Sequence, residues 1–467
     1  MEPNVCVVVL DAVRASNLSC YGHSRLTSPN IDAVADESMI FDYAVSPAAT
    51  TLDSVSSLFS GLYPAEHQAG YNGSLSVNVP HLPELFSDAG YRTGAITTNP
   101  FITPGFGFEQ GVNEFFSAEY RFQRGTNARK FFDSTKHLPT YQIYLRFILT
   151  ALGRHFLSSI GNALQFRFDL FTRDDQGAKQ ASSNATEFFN RGDKPWFLYL
   201  HYSEAHMKDT EHLYKLPGKQ LYKFVDEETV DSTALRRSGD GEYPEEAQGV
   251  HERLYDATIR YLDHHVGKLV SELKRTEQWE ETLFIITADH GECLGRNGHI
   301  GHGTLYEPGI HVPLLIKLPA DMSSNAPNEQ ERVNTLGLYS MLADLIGSNQ
   351  SHTTVPPILD GEEDHVLVQD FCANWDWSSY ADEESPGQHA IYKNELKLIQ
   401  RGEQRECYNI EIDPAESEQL STDENRVQSV GELLSEKLQQ QQPVYNRGSD
   451  FNIDESTADR LEDLGYL

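Results

Sequence analysis

The sequence predicts an α/β fold: a mostly parallel sheet sandwiched by helices, followed by a small C-terminal antiparallel α+β subdomain. Three observations carry this expectation. Short continuous apolar runs, rich in β-branched and aromatic residues, recur along most of the chain, as strands buried on both faces do. Helix-periodic segments lie between them, as in βαβ crossovers. After about Gly347 that alternation stops and shorter strands with polar residues follow.

The first run is Val5–Leu10 (VCVVVL), and the second is Tyr91–Thr97 (YRTGAIT), entered from the helical LPELFSDAG. Trp196–Tyr202 (WFLYLHY) is the third, Leu283–Thr287 (LFIIT) the fourth and His311–Lys317 (HVPLLIK) the fifth. Leu254–Leu273 has apolar residues at three- and four-residue spacing and leads into the fourth strand. Residues 115–190 read as a long helical insertion, serving either as a lid or docking element or as a pair of core-covering helices. Its amphipathic middle, 139–172, carries several Arg and offers a place for peripheral membrane contact. Residues 206–250 read as a polar loop on the rim of a site. In the last part, His365–Asp370, Ala390–Gln400 and Arg405–Ile412 read as antiparallel strands, Leu433–Gln441 as a helix, and 442–460 as a polar tail. The expected division is a catalytic domain over 1–347 and a subdomain over 348–467.

With 37 Lys+Arg against 70 Asp+Glu, the 467-residue chain carries a net charge of −33. No basic face is available to release counterions, so unaided binding to nucleic acid is excluded as an expectation. The acid excess runs along the whole chain, and fewer than half of the basic residues are Lys, which points to a salt-rich cytoplasm. Five cysteines without a CxxC pair indicate neither a disulfide framework nor a zinc knuckle. The opening MEPNVCVVVLD lacks the basic stretch of a secretory signal, and no run of 18 apolar residues predicts a transmembrane segment. The expected location is the cytoplasm.

The strand ends carry the chemistry. Parallel strands deliver their carboxyl ends to one edge of the sheet, where α/β proteins bind ligands. The first run ends in Asp11, the second leads to Thr97, Thr98 and Asn99, the third to Glu204 and His206, and the fourth to Asp289 and His290. Two carboxylates and an imidazole at one edge suit a divalent cation. Ala48–Pro64 (AATTLDSVSSLFSGLYP) adds a helix start at Thr51. Thr51 there is an N-cap, or a nucleophile whose hydroxyl faces a cation at the positive end of the helix, or both.

Taken in order, VVVLDAVRASNLSCYGHSRLTSPNIDAVADE, TLDSVSSLFSGLYPAEHQAG, KPWFLYLHYSEAH, TADHGECLGRNGHIGHGTLYEPGIHVPLLI and KLIQRGEQRECYNIEIDPAESEQL resemble the sulfatase family of the alkaline-phosphatase superfamily. The resemblance implies an alkaline-phosphatase-like sheet and one divalent metal ion (Ca, Mg, Mn or Zn) held by Asp11, Thr51, Asp289 and His290, with Thr51 also the nucleophile. It also implies that His206 contacts the ester group. His302, in GHGTLYE, stands where many sulfatases have an anion-binding Lys.

The departures from the family pattern redirect the expected chemistry. Sulfatases of the usual type oxidise a Cys or Ser in a CxPxR-like motif to formylglycine; here the five residues are Thr51-Leu52-Asp53-Ser54-Val55. Oxidation of a Thr would give a ketone, not an aldehyde hydrate. The second Asp of the usual opening pair is Ala12, and the place of a second-metal Asp is Tyr202, with Glu204 close by. What remains resembles phosphoryl-transferring relatives, lipoteichoic-acid synthases and phosphoethanolamine transferases, that use a Thr alkoxide. The expected function is a metal-dependent hydrolase of a phosphate or sulfate ester, on a small-molecule or glycan substrate. A phosphoryl transferase with a glycan or lipid-linked acceptor, and a non-catalytic binding protein, are the alternatives.

Overall fold

The computed structural model describes residues 2–75, 78–117, 175–192, 195–206, 216, 220, 223–224, 245–322, 330–348, 352–359, 364–371 and 387–444. Its centre is a seven-stranded sheet in the order β2-β8-β7-β1-β6-β4-β5. The strands are β1 Asn4–Leu10, β2 Met39–Ile40, β4 Arg92–Thr97, β5 Glu114–Ser117, β6 Trp196–Tyr202, β7 Thr282–Thr287 and β8 Leu314–Lys317. A short parallel pair, β3 Tyr43–Val45 and β9 Arg332–Asn334, lies apart. β1 pairs parallel with both β6 and β7, and its seven residues are all buried.

The two faces of β1 follow the period of two of a strand. Cys6, Val8 and Leu10 enter one core layer, and Val5, Val7 and Val9 the other. The first layer is covered by α1 Pro29–Ala35, α4 Ala178–Phe189 and α5 Glu245–Arg275; the second by α2 Thr51–Ser60, α3 Leu82–Asp88 and α6 Gly337–Leu345. α5 carries the chain from β6 over to β7 on the far side of β1, the crossover the sequence predicts.

Several expectations are corrected. The fifth run forms β8 over Leu314–Lys317 only, and it is antiparallel to β7. A parallel return needs a crossover, and between β7 and β8 the longest helix is the single turn Glu307–Ile310. Pro313, which has no N–H to give a ladder, marks where pairing begins. Residues 115–117 belong to β5, paired parallel with β4, not to an insertion. The other end of that segment, α4, is a core-covering helix: Ala178, Ala181, Ala185, Phe188 and Phe189 pack with Trp196 and Leu198. The lid or membrane role expected of 139–172 lies outside the described residues. Most of 206–250 lies outside them too, and 245–250 is the first part of α5 rather than loop.

The C-terminal part is a four-stranded antiparallel sheet, β10 Val366–Asp370, β11 Gln388–Lys393, β12 Leu396–Arg401 and β13 Gln404–Asn409, with α7 Asn425–Gln440 packed on it. The run expected as one strand over Ala390–Gln400 is a hairpin that reverses at Asn394, whose φ of 51° suits an Asn. The expected helix begins eight residues earlier, at Asn425. This sheet abuts the crevice: the Gln369 N–H donates to the Pro47 carbonyl at 2.9 Å. The fully buried Lys397 ammonium sits 3.0 Å from Glu307 and 2.6 Å from Glu416. Of the polar tail, Val444 N–H bonds the Glu66 carbonyl, and 445–460 lies outside the described residues.

Candidate active site at the carboxyl edge of the sheet

Asp11 follows β1 and is fully buried; its N–H donates to the Tyr202 carbonyl at 2.9 Å. The chain then turns through Ala12, a non-glycine residue with φ of 61°, a strained conformation held by its surroundings. The Ala12 N–H donates to Asp289 Oδ1 at 3.2 Å, and the His290 N–H donates to the same oxygen at 3.0 Å. Those two bonds fix one oxygen of Asp289 and leave Oδ2 facing inward without a hydrogen-bond partner.

His290 is oriented from behind. Its Nδ1 bonds the Gly291 carbonyl at 2.9 Å, so Nδ1 carries the proton and Nε2 offers a lone pair. Gly291 is required by close approach: a Cβ there would meet the Pro308 carbonyl oxygen at 2.2 Å. His290 Nε2 lies 3.6 Å from Asp11 Oδ1, 3.7 Å from Asp289 Oδ2 and 3.2 Å from Thr51 Oγ1.

Thr51 is the first helical residue of α2, and the N-cap position belongs to Thr50. The expectation of Thr51 as N-cap is therefore corrected, because the extended backbone before the helix ends at Thr50. The Thr50 hydroxyl donates to Asp370 Oδ2 at 2.9 Å, and the Ala49 N–H donates to that same oxygen. Thr50 is thereby held toward the C-terminal sheet, and Thr51 faces the carboxylates. Asp53 and Val55, where a sulfatase motif has Pro and Arg, do other work. Asp53 accepts N–H bonds from Gly70 at 2.7 Å and Phe371 at 2.8 Å, and Val55 is core.

His206 and His302 come to the same crevice, partly exposed. The His302 ring stacks on His290 with centroids 4.5 Å apart and planes 16° from parallel, and His206 lies 4.6 Å from His302. Burial, then the neighbouring His290 and His206, push the His302 imidazole well below its ordinary range. Burial alone would raise the Asp11 carboxyl, but His206, His201 and His290 hold it well below the usual carboxylate range. Burial likewise opposes a charged His290, yet Asp289 and Asp11 outweigh it and raise that imidazole.

Two site residues escape the sequence reading. Asn99 reads from the sequence only as a strand-end residue. Its Oδ1 accepts the Phe101 N–H at 2.8 Å, which turns Nδ2 toward Asp11 Oδ2 at 2.6 Å and Thr51 Oγ1 at 3.4 Å. His201 Nε2 lies 3.4 Å from Asp11 Oδ2 and 3.7 Å from Asp289 Oδ2. Strand parity could have found it: Phe197 and Tyr199 enter the layer of Val5, Val7 and Val9, so His201 falls on the face of Asp11. Tyr202 points the other way, to Ser182. Glu204 accepts the Ala178 N–H at 2.7 Å at the start of α4, so one of its oxygens caps a helix.

The donors fit a cation. Asp11 Oδ1, Asp289 Oδ2 and His201 Nε2 are buried without hydrogen-bond partners, and one ligand atom each from Asp11, His201 and Asp289 lies within 4.8 Å of the others. His206, His290 and His302 form a second such group.

Residues 3–348 match the sulfatase family model, and the chain belongs to the sulfatase family. Along nearly its whole length it is similar to an arylsulfatase of Clostridium perfringens, 23% identical, covering 96% of this chain and 97% of that protein. The fold is similar to that of the phosphonate monoester hydrolase of Agrobacterium radiobacter, with a TM-score of 0.70 at 17% identity, covering 94% and 96% of the two chains. It is also similar to BT4656, solved with its substrate D-glucosamine-2-N,6-O-disulfate, with a TM-score of 0.64 at 16% identity, covering 97% and 100%. The protein is accordingly a sulfatase-family hydrolase of sulfuric or phosphoric esters. The family typically binds one divalent metal, and a buried Asp/His triad is present here. No described helix is long and apolar enough to cross a membrane.

Proposed function

We propose that this protein hydrolyses a phosphate mono- or diester, or a sulfate ester, of a small molecule or glycan, with the Thr51 hydroxyl as nucleophile. The observation that carries this reading is the Thr51 Oγ1 at 3.2 Å from His290 Nε2, in a pocket of unpartnered carboxylate oxygens. Asp11, Asp289 and His290 would hold a divalent cation, which would ease deprotonation of the hydroxyl and offset charge on the ester oxygens. The N-terminus of α2 adds its positive dipole at the same place.

The Thr51 hydroxyl gives its proton to solvent as Oγ1 attacks phosphorus or sulfur, and the bond to the leaving oxygen breaks on the opposite side, in line, the departing alkoxide taking a proton from water. His206 and His302 face the crevice and hydrogen-bond the equatorial oxygens. Asn99 holds Asp11 and Thr51 in register, which removes a reorganisation cost at the moment of attack. Water then attacks the phosphorus or sulfur of the enzyme-bound group, the bond from that atom to Thr51 Oγ1 breaks, a proton from the attacking water restores the hydroxyl, and the acid is released. The phosphonate hydrolase and the sugar-sulfate complex among the structural relatives support testing both ester types. The experiment is a screen of aryl sulfate, phosphate monoester, phosphodiester and phosphonate with several divalent metals, on the native chain and Thr51→Ala. Turnover of one class that Thr51→Ala abolishes is expected; undiminished turnover by Thr51→Ala refutes the nucleophile.

A further inference from the structure

His201 is the most telling of the residues that the proposed mechanism leaves without a task. It is fully buried, and its Nε2 has no hydrogen-bond partner. The 3.4 Å approach to Asp11 Oδ2 does not meet hydrogen-bond geometry, and that oxygen already accepts from Asn99. Leaving a buried polar atom unpaired costs ~1–3 kcal/mol, and here three such atoms, on Asp11, Asp289 and His201, point into one space. A shared ion accounts for all three.

The spacing agrees. Donors around a tetrahedral zinc lie about 3.3–3.6 Å apart, given bonds of about 2.0–2.2 Å. His201 Nε2 and His290 Nε2 each lie 3.7 Å from Asp289 Oδ2, and they approach the two oxygens of Asp11 from either side, His201 at 3.4 Å from Oδ2 and His290 at 3.6 Å from Oδ1. The ring is also set from outside: His201 Nδ1 bonds the Tyr199 hydroxyl at 2.7 Å, the outer partner that metal-bound imidazoles ordinarily have.

We infer that His201 is a direct ligand of the cation, giving a centre of two imidazoles and two carboxylates that leaves a fifth position for the Thr51 hydroxyl and selects a transition ion such as zinc over calcium or magnesium. Calcium takes about 6–8 oxygen donors and magnesium is likewise held by oxygen, whereas imidazole nitrogen suits zinc and its neighbours. This inference rests on the proposed metal centre at Asp11, Asp289 and His290, and it extends the ligand set expected from the sequence.

Zinc K-edge absorption fine structure tests it, because it counts imidazoles bound to the metal without reference to turnover. The full chain carrying His206→Gln and His302→Gln, which removes the other two nearby imidazoles, is loaded with zinc. Two imidazoles per zinc are expected, and one after His201→Gln is added. A count of one with His201 in place overturns the inference, and needs no His201 variant to fold. Zinc that stays bound with an unchanged spectrum in Asp289→Asn contradicts the underlying metal centre instead.

Discussion

At the scale of single residues, Thr50 is at the N-cap of α2 and Thr51 begins it, and their hydroxyls meet different partners, which decides their roles. Thr51→Ala is expected to lower kcat by ~10³-fold or more, as loss of a nucleophile does, measured with whichever ester the native protein turns over. Thr50→Ala is expected to leave kcat within a few-fold. It should cost about 1.5–3 kcal/mol of stability, the worth of a hydrogen bond to a charged group, read from denaturant midpoints. Equal kinetic losses in the two variants would contradict the assignment. Asp289→Asn should purify without its divalent cation, since the amide replaces a charged donor with a neutral one; elemental analysis checks this. At this scale the sequence was legible where motifs are contiguous. Asp11, Asp289 and His290 stand next to strand-ending signals. His201 and Asn99 were not seen as site residues because their roles depend on which side of a strand or turn they leave.

At the scale of elements, α2 is an unusual helix: all ten of its residues are buried, and its two ends are anchored by other segments. Its C-terminus closes at Gly61, with φ of 70°, where a Cβ would meet the Tyr339 ring at 2.4 Å. Gly61→Ala therefore combines backbone strain with a collision in a packed core. A loss of about 2 kcal/mol or more is expected in denaturant unfolding, from the ~1–3 kcal/mol range of overpacking plus the positive-φ penalty. A loss within error would show that α2 is not held there. The apolar runs of β1, β6 and β7 were readable because each is buried on both faces. The direction of β8 was not, because it depends on the absence of a crossover between Asp289 and Pro313 rather than on the strand's own residues. The hairpin at Asn394 was hidden for a similar reason: its turn is two polar residues inside an otherwise continuous strand pattern.

At the scale of the whole molecule, buried histidines set the response to acid. Burial pushes His67 and His265 down to about 3, and His81, His251 and His389 down to about 4. His67 shows why: its Nδ1 accepts the Ala69 N–H at 3.0 Å, so a second proton has no place. Because the unfolded chain binds protons below about pH 6.5 and the folded one does not, this stability is present above that pH and lost as pH falls. The denaturant midpoint should drop between pH 7 and pH 5; a flat profile would contradict the burial of these rings. The charge of −33 leads us to expect the reverse response to salt, a midpoint rising from dilute buffer to molar KCl as self-repulsion is screened. Family and sheet architecture were legible in the sequence because motif order and strand ends repeat the fold's topology. The expected lid falls in 118–174, outside the described residues. The central claim is that an unmodified threonine carries the covalent step. Rapid acid quenching during turnover, followed by intact-mass and peptide analysis, tests it most directly. A phosphoryl or sulfuryl group from the substrate on the peptide containing Thr51, absent in Thr51→Ala, is the predicted result; steady turnover with that peptide unmodified and the variant fully active would contradict it.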